Sequence, residues 1–82
     1  MDINIPCNVG DYVYRINFTT YKVETKKVVQ MHIHIGRYNR YLIHIEFEVC
    51  GCCIDTDFGK TVFKNRIDAL NALDKYMNRM KK

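Results

Sequence analysis

The sequence has 82 residues, 48% of them hydrophobic, and thirteen Lys and Arg against nine Asp and Glu give a formal net charge of +4. A chain of this length forms one small core and leaves no room for a separate catalytic domain. The mild positive charge favours anionic partners but falls short of a histone-like excess. The N-terminal residues lack the pattern of a signal peptide and no apolar run is long enough to span a bilayer, so we expect a cytoplasmic protein with no membrane partner.

Period-two alternation of apolar and polar residues predicts three strands. The first covers about residues 11–19. The second runs over residues 22–35, with a bend or bulge near Lys26 and Lys27, where the alternation falters. The third covers residues 41–49 and forms a hairpin with the second. Odd-numbered apolar residues of this hairpin are expected to face the core, namely Val23, Val29, Met31, Ile33, Ile35, Tyr41, Ile43, Ile45, Phe47 and Val49.

A fourth, short strand is predicted at residues 61–63, and a helix follows at about residues 65–80. Asn65 is a suitable N-cap, with Asp68 near the helix start. Basic residues that suit the helix dipole lie near its end, namely Arg79, Lys81 and Lys82. An apolar stripe predicted to cover the open end of the sheet consists of Ile67, Leu70, Leu73, Met77 and Met80.

These elements predict one domain over residues 1–82, of the mainly-β or α+β class. Residues 9–63 are expected to form a small antiparallel sheet, either an SH3-like partly open barrel or a curled sheet. One C-terminal helix completes it. An exposed edge strand would make a dimer easy to form.

Two segments carry a family resemblance: VGDYVY at residues 9–14, and DFGKTVF at residues 57–63 directly before the helix. The chain resembles a group of small proteins encoded by phages and prophages of gut Firmicutes, which share a VGDxVY opening and a DFGKTVF segment. Residues 64–69 depart from the Glu-rich helix start common in that group. The resemblance implies a mobile-element origin and an SH3-like fold, and it brings no catalytic residues. Small phage proteins commonly inhibit host machinery, as anti-CRISPR proteins do, so the resemblance implies an inhibitor of a host protein or nucleoprotein.

A basic and aromatic cluster at the hairpin turn is the strongest functional signal. Its members are Arg37, Tyr38, Arg40 and Tyr41, and basic residues that can extend it are Lys26, Lys27, Lys60, Lys64 and Arg66. Arg binds phosphates and carboxylates, and Tyr either stacks on an unpaired base or anchors a protein contact. Two ligands therefore fit, a protein surface or nucleic acid. In the plainer interpretation Tyr41 belongs to the core and the charges only solvate the turn.

A small zinc-binding domain is a further alternative. Cysteines of a cytoplasmic protein stay as thiols or bind metal, and Cys50 and Cys53 form a C-x-x-C pair. If Ile35 pairs with Tyr41, the register places His32 opposite His44. The candidate ligands are Cys7, Cys50, Cys53, His32, His34 and His44. Inert thiols and solvated histidines are the simpler interpretation, so we expect no cofactor.

Catalytic motifs are not apparent in the sequence. The segment Gly59–Thr61 lacks the upstream glycine of a phosphate-binding P-loop, and no Ser-His-Asp order stands out. The sequence therefore predicts a non-enzymatic binding protein.

Overall fold

Five strands and one helix form within residues 3–38 and 40–80, the part of the chain that the computed structural model describes. The elements are β1 (Tyr12–Asn17), β2 (Lys22–Ile35), β3 (Tyr41–Phe47), β4 (Cys52–Ile54), β5 (Val62–Phe63) and α1 (Arg66–Met80). The strands follow the order β4-β3-β2-β1-β5, and every neighbouring pair is antiparallel. β5 returns to pair with the free edge of β1, and the five strands form a curled half-barrel. The predicted fold class, a small SH3-like curled sheet with one C-terminal helix, is confirmed.

β2 belongs to both halves of the sheet. Its first half pairs with β1, and its second half pairs with β3 from Val28 opposite Phe47 to Ile35 opposite Tyr41. The register shifts between Val28 and Gln30, so Val29 lies in a bulge. The predicted bounds of β2 and the predicted Ile35–Tyr41 register are confirmed. The bulge was expected near Lys26 and Lys27 and lies slightly further along the strand.

The curl encloses a buried core. It consists of Cys7, Val13, Val28, Ile43, Ile45, Phe47, Cys53 and Val62. Partly buried side chains that pack against it are Ile3, Met31, Tyr41 and Phe58. The predicted inward orientation of Ile43, Ile45 and Phe47 is therefore confirmed.

Four residues expected in the core are exposed instead, and one of them is Ile33, which is 44% exposed. Val29 lies in the bulge, and Val28 takes the core position. Val49 is 87% exposed because β3 already ends at Phe47. Ile35 shares the inner face with Tyr41 but is 65% exposed, because this end of the hairpin reaches past the core.

α1 covers the outer face of the sheet rather than its open end. Val13 and Ile16 lie three positions apart on β1, so their side chains point to opposite faces. Val13 belongs to the enclosed core, whereas Ile16 is buried outside it, as are the helix residues Ala69 and Leu73. The predicted apolar stripe is thus correct for Leu73 but wrong for Ile67, which is 71% exposed.

Two more residues of the predicted stripe do not belong to the buried face of the helix. Leu70 and Met77 are also exposed, while Lys81, Lys82 and the Met80 side chain lie outside the described part of the chain. The Asn65 carbonyl accepts the first helical hydrogen bond from the Ala69 N–H at 3.2 Å. The Asn65 side-chain amide donates to Asp68 at 3.3 Å, which agrees with the predicted helix start.

β4 and the 3-10 turn that follows it at Asp55–Asp57 were not predicted. The Asp55 carboxylate accepts a hydrogen bond from the Ile43 N–H at 3.2 Å, so it extends the ladder between β3 and β4. The Asp57 carboxylate accepts one from the Ile54 N–H at 3.0 Å. Side-chain carboxylates therefore stabilise this edge of the sheet. Because such contacts leave no alternating apolar pattern in the sequence, the pattern does not predict β4.

Truncation of a buried and of an exposed isoleucine in the hairpin should have different effects on stability. Ile43 is fully buried, so Ile43→Ala should lower the free energy of unfolding by about 2–5 kcal/mol through lost burial and an unfilled cavity. Ile35→Ala removes the same atoms from an exposed site and should cost no more than about 0.5 kcal/mol. Urea unfolding followed by circular dichroism measures both. Equal losses for the two variants would contradict the described position of the core.

Candidate functional site

The turn between β2 and β3, which we call the hairpin tip, consists of residues 36–40. The Gly36 N–H donates to the Arg40 carbonyl at 2.8 Å, and the Arg40 N–H donates to the Arg37 carbonyl at 3.2 Å. Tyr38 has a φ of 60° and is 91% exposed. A tyrosine in the left-handed backbone region is uncommon, and its ring here points away from the fold. Asn39 lies outside the described residues.

Two arginines flank this ring. Arg37 and Arg40 are exposed, and neither the Lys26–Glu24 ion pair nor the His32–Glu46 contact found among the described residues includes them. Their guanidinium groups are therefore available for a carboxylate or a phosphate. The structure thus brings together three of the predicted contact residues.

Tyr41 has a different position from the other three. It is half-buried against the core, and its hydroxyl accepts a hydrogen bond from the Asn4 N–H at 3.0 Å. This hydrogen bond connects the segment before β1 to the first residue of β3. Tyr41 therefore supports the hairpin tip from below rather than extending its contact surface.

Apolar side chains surround the base of the tip. Ile33 and Ile35 are exposed on the inner face of the hairpin, and Leu42 is exposed on its outer face. A shallow recess of about 270 Å³ lies there, lined by His34, Ile35, Gly36, Arg40, Tyr41 and Leu42. The hairpin tip thus combines the exposed Tyr38 ring and the cationic side chains of Arg37 and Arg40 with apolar side chains at its base.

The predicted supporting lysines and arginine lie elsewhere. β5 pairs with β1 through Arg15 opposite Val62, and Arg15 also pairs with Glu24 of β2. From Glu24 to Ile35, β2 advances eleven residues, or roughly 36 Å along the strand at about 3.3 Å per residue. The exposed residues around β5, namely Lys60, Lys64 and Arg66, therefore lie far from the tip. Lys26 and Lys27 belong to β2 and are half-buried.

A second concave surface was not predicted from the sequence. A cleft of about 690 Å³, which we call the helix cleft, lies between one side of α1 and residues of or next to β1 and β5. Its sheet wall consists of Ile16, Phe18, Gly59, Lys60 and Phe63. Its helix wall consists of Asp68, Asn71, Ala72, Lys75, Tyr76 and Arg79. The helical spacing of Lys75 and Arg79 was the sequence signal available for the helix wall of this cleft. Phe18, which lines the opposite wall, is distant from them in sequence.

Histidines lie on the outer face of the hairpin. His32 is directly opposite His44, as predicted, with ring centroids 6.3 Å apart. The His32 Nε2 lies 3.7 Å from a Glu46 carboxylate oxygen, and His34 is opposite Leu42. Among the described residues, no group of three or more His, Cys, Asp or Glu side chains is placed to hold a metal ion.

The four cysteines divide into two pairs. Cys7 and Cys53 are buried, whereas Cys50 and Cys52 are exposed. Burial raises the pKa of the Cys53 thiol to about 12, and the nearby Asp57 carboxylate acts in the same direction. Burial also raises the pKa of Cys7. The two cysteines of the C-x-x-C pair, Cys50 and Cys53, thus differ in exposure.

Comparison of the chain with protein-family models, with curated proteins and with solved structures gave no match. Within the described part of the chain, α1 is too short and too polar to cross a membrane.

The thiols should react at two distinct rates. At pH 8 a thiol with a pKa of about 12 is ionised only to about one part in 10⁴, and Cys53 is also shielded from solvent. With Ellman's reagent we expect two thiols to react quickly, Cys50 and Cys52, and two to react only on unfolding. The Cys50→Ser, Cys52→Ser variant should lose the fast phase. Fast reaction of all four thiols in the native protein would contradict the buried positions of Cys7 and Cys53.

Proposed function

We propose that the protein is a non-enzymatic binding protein whose hairpin tip covers part of the surface of another protein. The observation that carries this proposal is the Tyr38 side chain, which stands almost fully exposed between Arg37 and Arg40. Tyr and Arg are enriched among the residues that dominate protein interfaces. A tyrosine side chain has only two torsions, so its ring loses little conformational freedom when it enters a partner's pocket.

The surroundings of the tip support a protein as the ligand. Exposed Ile33, Ile35 and Leu42 provide apolar area beside the two cations. An interface of this kind combines an apolar centre with a charged rim. The recess at the tip is shallow, which suits a broad partner surface better than an enclosed small molecule.

The net charge of +4 and the two arginines favour an acidic surface on the partner. The resemblance to small phage and prophage proteins supports a host protein or nucleoprotein as that partner. In this proposal the protein acts in the bacterial cytoplasm as an inhibitor of the anti-CRISPR or anti-defence type. Its mechanism is steric occupancy, in which Arg37, Tyr38 and Arg40 cover a surface that the host machinery needs.

Direct binding of nucleic acid by the tip is the second candidate, because the same exposed Tyr38 ring and guanidinium groups suit a base and its phosphate. Salt distinguishes the two candidates. Displacement of counterions from phosphates makes the affinity for nucleic acid fall steeply as salt increases.

A photo-reactive amino acid at position 38 tests the proposal. The protein with this amino acid in place of Tyr38 is added to a nuclease-treated lysate of a gut Firmicute. It should form a defined covalent adduct with one host protein, because position 38 lies at the centre of the proposed interface. Mass spectrometry identifies the adduct. Addition of Arg37→Glu and Arg40→Glu should abolish it by reversing the charge around the ring.

Position 49 provides the matched control, because Val49 is 87% exposed beyond the end of β3 and lines neither the recess at the tip nor the helix cleft. It should form no such adduct. The same adducts at both positions, or persistence of the position-38 adduct after the charge reversal, would contradict the site. With purified target, Tyr38→Ala should weaken binding by at least about tenfold, as expected for a residue central to an interface.

A further inference from the structure

The turn between β1 and β2 holds two aromatic rings beside α1. The Asn17 side-chain oxygen accepts hydrogen bonds from the N–H groups of Thr19 at 2.9 Å and Thr20 at 3.1 Å. The Asn17 carbonyl accepts one from the Tyr21 N–H at 2.8 Å, and Tyr21 has a φ of 57°. Asn17 therefore fixes the turn that presents Phe18 and Tyr21 to the helix.

These rings form an aromatic wall with Tyr76 of α1. The Phe18 and Tyr76 centroids are 4.7 Å apart with the planes at 67°, and Tyr21 stacks on Tyr76 at 6.5 Å and 28°. All three rings remain partly exposed. Phe18 and Tyr76 also line the helix cleft, so aromatic surface is available there. Stacking on such surface is how proteins hold unpaired bases without sequence preference.

Cations line the same cleft. Lys75 and Arg79 lie four residues apart on α1, which places them about 6 Å apart along the helix axis. Lys60 contributes a third cation from the sheet wall. The ion pairs found among the described residues include none of these three.

One carboxylate, Asp68, also lines the cleft. It accepts a hydrogen bond from the Asn65 side chain and lies about 10 Å from Lys75 along the helix axis. The negative charge is thus at one end of the cleft and the helix cations are at the other. An anion is favoured beside Lys75 and Arg79, and a group that donates hydrogen bonds is favoured beside Asp68.

Between these ends the floor is small and apolar, because Ala72 lies one turn from both Asp68 and Tyr76. The volume of about 690 Å³ lies within the usual range of ligand sites. We propose that the helix cleft binds nucleoside phosphates, with the base against Phe18 and Tyr76 and the phosphate at Lys75 and Arg79. The ligand is either a free nucleotide or a unit of a single strand, since the two share this chemistry.

Fluorescence anisotropy of the full-length protein with a labelled twelve-nucleotide oligothymidylate tests the site. If Lys75, Arg79 and Lys60 each contact a phosphate of the strand, log Kd against log salt should have a slope of magnitude about 2, at about 0.7 per phosphate contact on a single strand. Thymidine monophosphate should compete, and inorganic phosphate should compete at least tenfold less well. A much higher affinity for the strand than for the mononucleotide identifies the strand as the source, and similar affinities identify the free nucleotide.

Two variants of equal charge locate the binding. Lys75→Glu with Arg79→Glu, and Arg37→Glu with Arg40→Glu at the hairpin tip, each lower the formal net charge from +4 to 0. The cleft variant should lose at least about 30-fold in affinity and most of the salt slope, whereas the tip variant should stay within about twofold. Ala72→Leu changes no charge, fills the floor of the cleft and should also lose at least tenfold.

Several results would overturn the proposal. Equal losses in the two charge variants would show attraction by net charge alone. Loss in the tip variant with an unchanged cleft variant would place the nucleic acid at the tip. Equal competition by inorganic phosphate would show that no base is bound, and unaltered binding by Ala72→Leu would exclude the cleft. The photo-adduct at position 38 is read separately, so failure here leaves the proposed function of the tip untouched.

Discussion

The backbone of Val28 joins the two halves of the sheet. Its N–H donates to the Asp11 carbonyl at 2.8 Å, and its carbonyl accepts from the Gly10 N–H at 2.7 Å. On the other side it pairs with Phe47, and its side chain is fully buried. Gly10 has a φ of 96°, a region that glycine adopts without strain, so the chain can turn here into β1. The bulge immediately after Val28 then releases β2 from β1 and directs it along β3.

This bulge also explains how far the sequence predicts the fold. Apolar residues occupy odd-numbered positions of β2 on both sides of the interruption at Thr25 and Lys27, yet Val23 pairs with Ile16 under the helix while Met31 pairs with Ile45 in the core. One alternating pattern therefore serves two layers. The length of β2 and the hairpin register follow from the pattern, because a slip by one residue would turn every side chain to the wrong face. The position of the bulge depends on the Gly10 and Asp11 contacts, which are not local.

The helix shows a similar limit. The spacing of large apolar residues predicts a helix correctly, but it overlooks Ala69, which is fully buried. A small side chain lets the helix approach the sheet closely. Ile67 lies two residues before Ala69, about 200° around the helix, and therefore faces away from the sheet. The hairpin tip could be predicted because its residues are adjacent in sequence. The helix cleft could not, because it needs Phe18 and Tyr76 to meet across two layers.

The two surfaces lie toward opposite ends of β2, in a described structure whose extents are 42 × 28 × 19 Å. A fold only 19 Å thick has little depth for an enclosed site, so its contacts with other molecules lie on its surface. Groups separated by this distance with no shared neighbours affect binding independently. A ligand that spans both surfaces would instead gain from the second contact through effective concentration, as linked binding sites do. A nucleoprotein offers an acidic protein surface to the tip and a nucleic-acid strand to the helix cleft. Among the proposed partners, the arrangement of the two surfaces therefore favours a nucleoprotein.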